Sequence, residues 1–153
     1  MSRPNRDKVF LTVAANIGSL GTCDRAHVGA VIVRDGRCIS WGYNGAPPGA
    51  PHCDENHHGY GSASAYNQAV TDGSGCRNVT HAEANALAFA ARQGISTDDA
   101  TMYVERTPCL TCARLIIAAG IKQVMIAERY RDLAGEVALV KSFISVVYPF
   151  EEA

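Results

Sequence analysis

Four residues that could form a catalytic metal site occur at two short spacings in the second half of the chain. His81 and Glu83 stand two residues apart in "THAEANALAFAARQG", and Cys109 and Cys112 stand three apart in "TPCLTCARLIIAAG". Thiolate and imidazole are preferred ligands of Zn²⁺. Two thiolates and one neutral imidazole balance the charge of the ion and leave its fourth tetrahedral position for water, as in catalytic zinc sites.

Helix starts explain both spacings. Cys109 and Cys112 would share one face of a helix that is entered at Pro108. Residues i and i+2 lie about 200° apart around a helix, so His81 and Glu83 can converge only on something beyond the helix end. With His81 as the third ligand, Glu83 would lie beside the water without binding zinc, where it could take the proton of the water and pass it on.

Other interpretations of these residues remain open. A lone C-x-x-C also occurs in redox pairs and as two buried thiols, and a purely structural zinc would need a fourth protein ligand, for which Glu105 is the nearest acidic group. The combination of H-x-E with P-C-x-x-C, whose first cysteine follows His81 by 28 residues, is the signature of zinc nucleobase deaminases. It favours hydrolytic deamination, in which activated water attacks the carbon bearing an exocyclic amine, Glu83 protonates the ring nitrogen and ammonia leaves.

The rest of the sequence must position these residues. Apolar spacing predicts a helix over 5–19, and Asp35-Gly36 between two β-rich runs predicts a hairpin of strands 28–34 and 37–43. The later segments predict helix 81–93, strand 100–105, helix 109–119, strand 123–128, helix 132–141 and strand 143–148. This alternation indicates parallel strands joined by right-handed crossovers, to which the hairpin adds an antiparallel edge. We therefore expect one domain over 1–153, an α/β fold with a mixed five-stranded sheet between helices and a long loop over about 44–79.

Composition narrows the class of protein. The chain has 153 residues, of which 47% are hydrophobic and 19% charged, and no apolar run reaches the roughly 18 residues that span a bilayer. Its start, "MSRPNRDKVF", lacks the apolar core of a secretory signal, so we expect a cytoplasmic protein whose six cysteines are metal ligands or buried thiols. With a net charge of −1 and scattered basic residues, polynucleotide binding is not expected.

Several segments of the chain resemble the deoxycytidylate (dCMP) deaminases, a branch of the cytidine deaminase-like superfamily. The likeness runs from Leu11 to Tyr130 and rests on "VGAVIVRDGR", "GYNGAPPG" (42–49), "THAEANAL", "TMYVERTPCLTC" and "AAGIKQVMIAERY", in that order. The GYNG loop separates this branch from tRNA adenosine and free-base deaminases. The resemblance implies a three-layer α/β/α sandwich, a catalytic zinc and the conversion of dCMP to dUMP in pyrimidine nucleotide metabolism.

The resemblance also implies how the sugar and the phosphate are bound. Asn44 would lie near the deoxyribose hydroxyl, although an asparagine before Gly45 is equally suited to form a turn. Arg25 stands where relatives often place a phosphate-binding basic residue, and its alternative is a solvated loop arginine.

The cytosine edge would be recognised by the backbone around Ala82 and the Thr107-Pro108 turn. Tyr130 matches an aromatic residue near the pocket of relatives, or else is a strand-end tyrosine that lies half in the core. Glu105-Arg106 departs from the small or apolar residues expected before Thr-Pro-Cys, so a modified cytosine or another nucleotide such as dCTP is a possible substrate.

A second, structural zinc is implied in the long loop, as in many family members. Its predicted ligands are Cys23, Cys53, His58 and Cys76. His57 could replace His58, and the alternative is a set of free thiols in a partly ordered loop. Cys38 is expected in the core, and His27 and His52 have no assigned partner.

Two further functions compete with a nucleotide deaminase. One is deamination of tRNA or single-stranded DNA, and the other is a zinc-stabilised binding module without turnover. The resemblance further implies a homo-oligomer and, in some relatives, allosteric control by dCTP or dTTP with magnesium.

Overall fold

A mixed five-stranded sheet forms the centre of the computed structural model, which describes residues 3–23, 26–50, 52–53 and 79–151. Its strands are β1 (Gly29–Arg34), β2 (Arg37–Tyr43), β3 (Thr101–Arg106), β4 (Gln123–Glu128) and β5 (Ser145–Val147), in the order β2-β1-β3-β4-β5. β1 pairs antiparallel with β2 and β3, whereas β3, β4 and β5 are parallel. The helices are α1 (Arg6–Gly18), α2 (Ala82–Arg92), α3 (Leu110–Ala118) and α4 (Ala134–Lys141). The predicted α/β fold is confirmed, with element boundaries displaced by one or two residues.

The hairpin between β1 and β2 closes through the predicted turn. Asp35 and Gly36 have φ angles of 52° and 71°, which is the left-handed conformation that a two-residue type I′ turn requires at both positions. This turn matches the right-handed twist of the strands it joins, and it brings β2 alongside β1 as the antiparallel part of the sheet.

Side-chain alternation along the strands creates two apolar cores, one on each face of the sheet. In β3, Met102 and Val104 point into the core that α2 and α3 cover, while Tyr103 points to the opposite core, where it packs with Leu11 and Ala14 of α1. This gives the expected three layers, with α1 on one face and α2 and α3 on the other.

The two ends of the predicted long loop meet directly before the candidate site. Gly45 and Thr80 form an isolated antiparallel bridge with N···O distances of 2.9 and 3.2 Å. Residues 54–78, which hold most of that loop, lie outside the described residues, so the extent of the loop and the single domain stay predictions. Within the described ranges, no helix is long and apolar enough to cross a membrane.

The predicted core position of Cys38 is wrong. Its side chain is exposed, because Cys38 lies beside the hairpin turn at the start of β2, where the burial pattern of the strand is exposed at its first two residues. Burial in β2 begins only further along the strand, at Ser40 and Gly42, where α2 packs on it.

Candidate active site

Three metal-ligand side chains converge between the tips of α2 and α3. The Nδ1 atom of His81 lies 3.6 Å from Sγ of Cys109 and 3.5 Å from Sγ of Cys112, and the three ligand atoms all lie within 4.8 Å of one another. They form the one cluster of this kind among the residues that the structure describes. The sequence prediction that these residues meet is consistent with this geometry.

The spacing of these atoms fits a tetrahedral zinc ion. Zn–S bonds of about 2.3 Å and a Zn–N bond of about 2.0–2.1 Å, at the tetrahedral angle, place sulfur and nitrogen about 3.6 Å apart. The two measured S···N distances, 3.5 and 3.6 Å, agree with that value. Among the described residues, the donor set and its sulfur–nitrogen distances are thus those expected when these three side chains bind one zinc ion.

The start of α2 explains how His81 and Glu83 act together. The helix begins at Ala82, and His81 caps it in an extended conformation with φ −67° and ψ 153°. The imidazole therefore approaches from outside the helix, while Glu83 projects from its first turn. Glu83 is 5% exposed, and its carboxyl group interacts with the thiol of Cys112, so both side chains reach the same point beyond the helix tip.

α3 presents its two thiols in a similar way. Cys109 is the residue that caps α3, and its sulfur accepts the backbone N–H of Cys112 at 3.5 Å. The backbone of Ala84 contributes a hydrogen bond to the thiol of Cys112. Orphan N–H groups at two helix starts therefore surround the sulfurs, which favours the thiolate form that binds metal.

Hydrogen bonds within the cluster shift the pKa values of its three members. Hydrogen bonding from the Cys112 thiol, together with that from His81, lowers the pKa of Cys109 to about 4. The shared hydrogen bond and burial raise the pKa of Cys112, and the hydrogen bond to Cys109 raises the pKa of His81. The hydrogen bonds within the cluster thus favour the thiolate form of Cys109, the form that binds metal.

The Glu83 carboxyl group is a buried acid inside the site. Burial raises its pKa, against the opposing effects of its backbone hydrogen bond and of His81. A buried carboxyl group beside polar site groups is the arrangement expected of a general acid and base.

Glu105 does not complete the metal site. It follows Val104 on β3, so alternation turns it to the α1 face of the sheet, opposite the cysteines. There its Oε2 accepts the backbone N–H of Gly29 at 2.6 Å, and burial raises its pKa. The alternative of a structural zinc closed by Glu105 is wrong.

Asn44 braces the loop that precedes β1. Its side chain, 6% exposed, donates from Nδ2 to the carbonyl of Ala26 at 2.6 Å and accepts at Oδ1 the N–H of Val28 at 2.8 Å. An amide nitrogen can donate twice and an amide oxygen can accept twice, so contact with a sugar hydroxyl is compatible with this role and stays a prediction.

The residues predicted around the base lie close to the metal ligands in sequence. Ala82 is the first residue of α2, where the N–H has no partner within the helix. The N–H of Thr107 donates to the carbonyl of Glu128 at 3.3 Å, and its side-chain oxygen accepts the N–H of Tyr130 at 2.9 Å. Tyr130 is 40% exposed just beyond β4, and its position near the pocket stays a prediction. Arg25 lies outside the described residues.

Two of the four predicted ligands of the second zinc lie within the described residues. Cys23 and Cys53 are 3% and 2% exposed and belong to one buried cluster with Val79, whereas His57, His58 and Cys76 lie outside the described residues. Beside this cluster, Nδ1 of His52 lies 3.0 Å from Oγ1 of Thr22. His27 is exposed.

The sequence analysis missed the residues that hold α2 against β2. Ser40 Oγ donates to the carbonyl of Ala86 at 2.6 Å, and Nδ2 of Asn85 donates to the carbonyl of Tyr43 at 2.7 Å. At Gly42 the two backbones come so close that an added Cβ would lie 2.5 Å from Ala86 N. The signal was present in the GYNG segment, where a glycine within a strand indicates close backbone approach.

We expect Gly42→Ala to destabilise the protein by about 1–3 kcal/mol. Besides the contact to Ala86, the new Cβ would lie 2.6 Å from the carbonyl oxygen of Ala82, and because both neighbours are backbone atoms, α2 must move away from β2. Urea unfolding measures the change, and displacement of α2 should also weaken zinc binding at His81. A matched control is Gly45→Ala, whose Cβ would meet a side-chain hydroxyl of Thr22 at 3.1 Å. Equal stability of the two variants would contradict the close packing at Gly42.

A sheet covered on both faces and a His-Cys-Cys cluster beside a buried carboxylate define a deaminase-type zinc centre. A family model described as "Cytidine and deoxycytidylate deaminase zinc-binding region" matches residues 4–128. The chain belongs to this family.

Relatives and solved structures agree with that assignment. The chain is 40% identical over 125 residues to a deoxycytidylate deaminase of Mycobacterium phage D29, covering 82% of this chain and 96% of the relative. It is 35% identical over 148 residues to the deoxycytidylate deaminase of Enterobacteria phage T4, covering 78% of this chain and 76% of the relative. The crystal structure of dCMP deaminase from the cyanophage S-TIM5, in complex with dCMP and dUMP, superposes with a TM-score of 0.77 at 28% identity, covering 97% of this chain and 99% of that one.

Proposed function

We propose that this protein hydrolyses dCMP to dUMP and ammonia. The observation that carries the proposal is the convergence of His81, Cys109 and Cys112 on one point beside the buried carboxyl group of Glu83. The family assignment and the relatives that deaminate deoxycytidylate support the choice of substrate.

His81, Cys109 and Cys112 would hold the zinc ion. When bound, zinc supplies a Lewis acid that makes water nucleophilic near neutral pH. Glu83 takes a proton from the attacking water, delivers it to the ring nitrogen of cytosine, and later protonates the departing amine. Because the Glu83 carboxyl group is shut off from bulk water, the proton stays in the site between these transfers.

The backbone around the site favours the cytosine edge. Pro108 has no N–H, and the N–H of Thr107 donates to Glu128, so the Thr107-Pro108 turn offers acceptors that suit the exocyclic amine of the base. The N–H of Ala82, which has no partner within α2, suits the carbonyl oxygen of the base. Uracil carries an oxygen where cytosine carries the amine, so the same turn binds the product less well, which favours its release.

Ammonia release from dCMP tests this function directly. We expect turnover with dCMP to exceed turnover with cytidine, dCTP and a cytosine-containing oligonucleotide. A preference for the oligonucleotide would instead indicate a polynucleotide deaminase. Absence of ammonia from every substrate, in a protein that contains zinc, would indicate a binding module.

Glu105 and Arg106, which depart from the family pattern, lie on opposite faces of β3. Glu105 turns to the α1 face and bonds Gly29 there, so it does not contribute to the rim of the pocket. Arg106 is exposed at the end of β3, directly before Thr107, so a modified cytosine or dCTP stays an alternative substrate that the same ammonia assay tests.

A second zinc is proposed at Cys23, Cys53, His58 and Cys76. The shared burial of Cys23 and Cys53 supports it, and metal analysis showing two zinc ions per chain is the expected result. On the basis of the family resemblance, we also propose that the protein is cytoplasmic and forms a homo-oligomer. Control by a nucleotide together with magnesium is proposed on the same basis.

A further inference from the structure

A network of side-chain contacts links the turn before Cys109 to residues near the end of the chain. Its members, called the circuit below, are Thr107, Arg129, Tyr130, Glu136 and Tyr148. It starts at Thr107, which is 6% exposed and stands two residues before Cys109. Oγ1 of Thr107 accepts the N–H of Tyr130 at 2.9 Å and lies 3.2 Å from the hydroxyl of Tyr148. Tyr148 follows β5, so the contact joins two distant parts of the sequence.

The Tyr148 hydroxyl passes the connection to α4. It donates to Oε2 of Glu136 at 2.5 Å. Burial and this hydrogen bond raise the pKa of Tyr148 to about 12, so the phenol keeps its proton and remains a donor at neutral pH. Since its one proton goes to Glu136, the phenol oxygen accepts the hydroxyl proton of Thr107.

Arg129 closes the circuit. Its guanidinium lies 3.5 Å from Oε1 of Glu136 and stacks 4.3 Å above the ring of Tyr148. Arg129 is the neighbour of Tyr130 in the chain, so the segment Arg129-Tyr130 is held at its backbone by Thr107 and at its side chain by Glu136. A second carboxylate, that of Glu151, lies 3.5 Å from the same guanidinium.

The circuit lies against the metal-binding turn. Gly135, next to Glu136, packs so closely on this turn that an added Cβ would lie 1.9 Å from the carbonyl oxygen of Pro108. Apart from Thr107, the members of the circuit follow residue 128, where the match to the family model ends. Glu136 and Tyr148 therefore lie outside the region that assigns the chain to its family.

We propose that Tyr148 and Glu136 are positioning residues that fix the rim of the nucleotide pocket, by holding Thr107 and the Arg129-Tyr130 segment in one geometry. The proposal rests on the proposed function for its substrate. Neither residue needs to touch the nucleotide, since both act through the hydroxyl of Thr107 and the backbone of Tyr130. Loss of the link should impair substrate binding more than the chemical step, because His81, Cys112 and Glu83 are not members of the circuit.

Tyr148→Phe tests the link while keeping the ring on which Arg129 stacks. We expect KM for dCMP to rise on the order of tenfold, with kcat and zinc content near those of the unsubstituted protein. Thr107→Val should have a similar effect, and Thr107→Ser, which keeps the hydroxyl, should restore most of the binding. In the double variant Tyr148→Phe with Thr107→Val, KM should rise much less than the product of the two single effects, because both changes break one connection.

Tyr103→Phe is the matched control. The hydroxyl of Tyr103 also donates to a carboxylate, that of Asp7 at 2.9 Å, but Tyr103 is buried in the core on the α1 face of the sheet. Its loss should lower stability without changing KM. If Tyr148→Phe leaves KM as Tyr103→Phe does, or if the effects of Tyr148→Phe and Thr107→Val multiply fully, the positioning role is refuted.

Hydrogen exchange of the Tyr130 amide provides a readout that needs no turnover. In Tyr148→Phe this amide should exchange on the order of tenfold faster, because the Thr107 hydroxyl that accepts it is no longer held. Unchanged exchange at Tyr130 would overturn the proposal. If the unsubstituted protein releases no ammonia from dCMP, the proposed function fails, and this exchange measurement still decides whether the circuit holds the rim.

Discussion

Glu83→Gln is expected to lower the rate of ammonia release from dCMP by about a hundredfold or more, which is the usual contribution of general acid–base catalysis. Glutamine keeps the volume of the buried side chain but cannot take a proton from water or return one to the base. Zinc content should not change, because Glu83 interacts with the thiol of a ligand and is not itself in the ligand cluster. The measurement is kcat together with metal analysis of the same sample.

Stability provides a further check on the same variant. Burial penalises the charged form of Glu83, so a neutral amide in this place should leave the melting temperature unchanged or raise it, as is common when a site residue is replaced. Glu128→Gln is a suitable control, since it removes an exposed carboxylate at the end of β4. Turnover of Glu83→Gln close to normal would exclude Glu83 from the mechanism.

Cys112→Ser should remove the zinc of the candidate site. Loss of a residue that merely supports a ligand costs about 10–100-fold in metal affinity, and loss of a thiolate ligand should cost at least as much. Serine nearly matches the shape of the buried Cys112 side chain, which is 2% exposed, but its neutral hydroxyl is a poorer zinc ligand than a thiolate. Metal analysis after dialysis against a chelator should show one zinc ion fewer per chain than in the unsubstituted protein, and no ammonia release.

Cys38→Ser is the matched control for this variant, because Cys38 is an exposed cysteine on β2. It should retain all zinc and full activity. If Cys112→Ser and Cys38→Ser retain equal zinc, Cys112 is not a ligand. A comparison of Cys112→Ser with Glu83→Gln separates the contribution of metal binding from that of proton transfer.

The site could be predicted from sequence because its members lie at helix starts within short motifs. The spacing of His81 and Glu83 already excluded a shared helix face, and the structure places His81 outside the helix. The orientation of Glu105 was also predictable in principle, since alternation from Met102 and Val104 turns it away from the cysteines.

Other features depend on contacts between distant segments, for which the sequence has no local signal. The circuit of Thr107, Tyr148 and Glu136 exists only because β5 lies beside β4 and α4 packs on the turn before α3. The exposure of Cys38 depends on where α2 begins to cover β2. The bracing of residues 26–28 by Asn44 depends on the path of a loop, which hydrophobic periodicity does not describe.

The division of the site between two stretches of sequence has an evolutionary consequence. The groups that would perform the chemistry lie between His81 and Cys112. The circuit that holds the Arg129-Tyr130 segment is built mainly from the last 25 residues, 129–153. On the proposed positioning role, substitutions in residues 129–153 would alter the rim of the pocket while His81, Glu83, Cys109 and Cys112 stay unchanged.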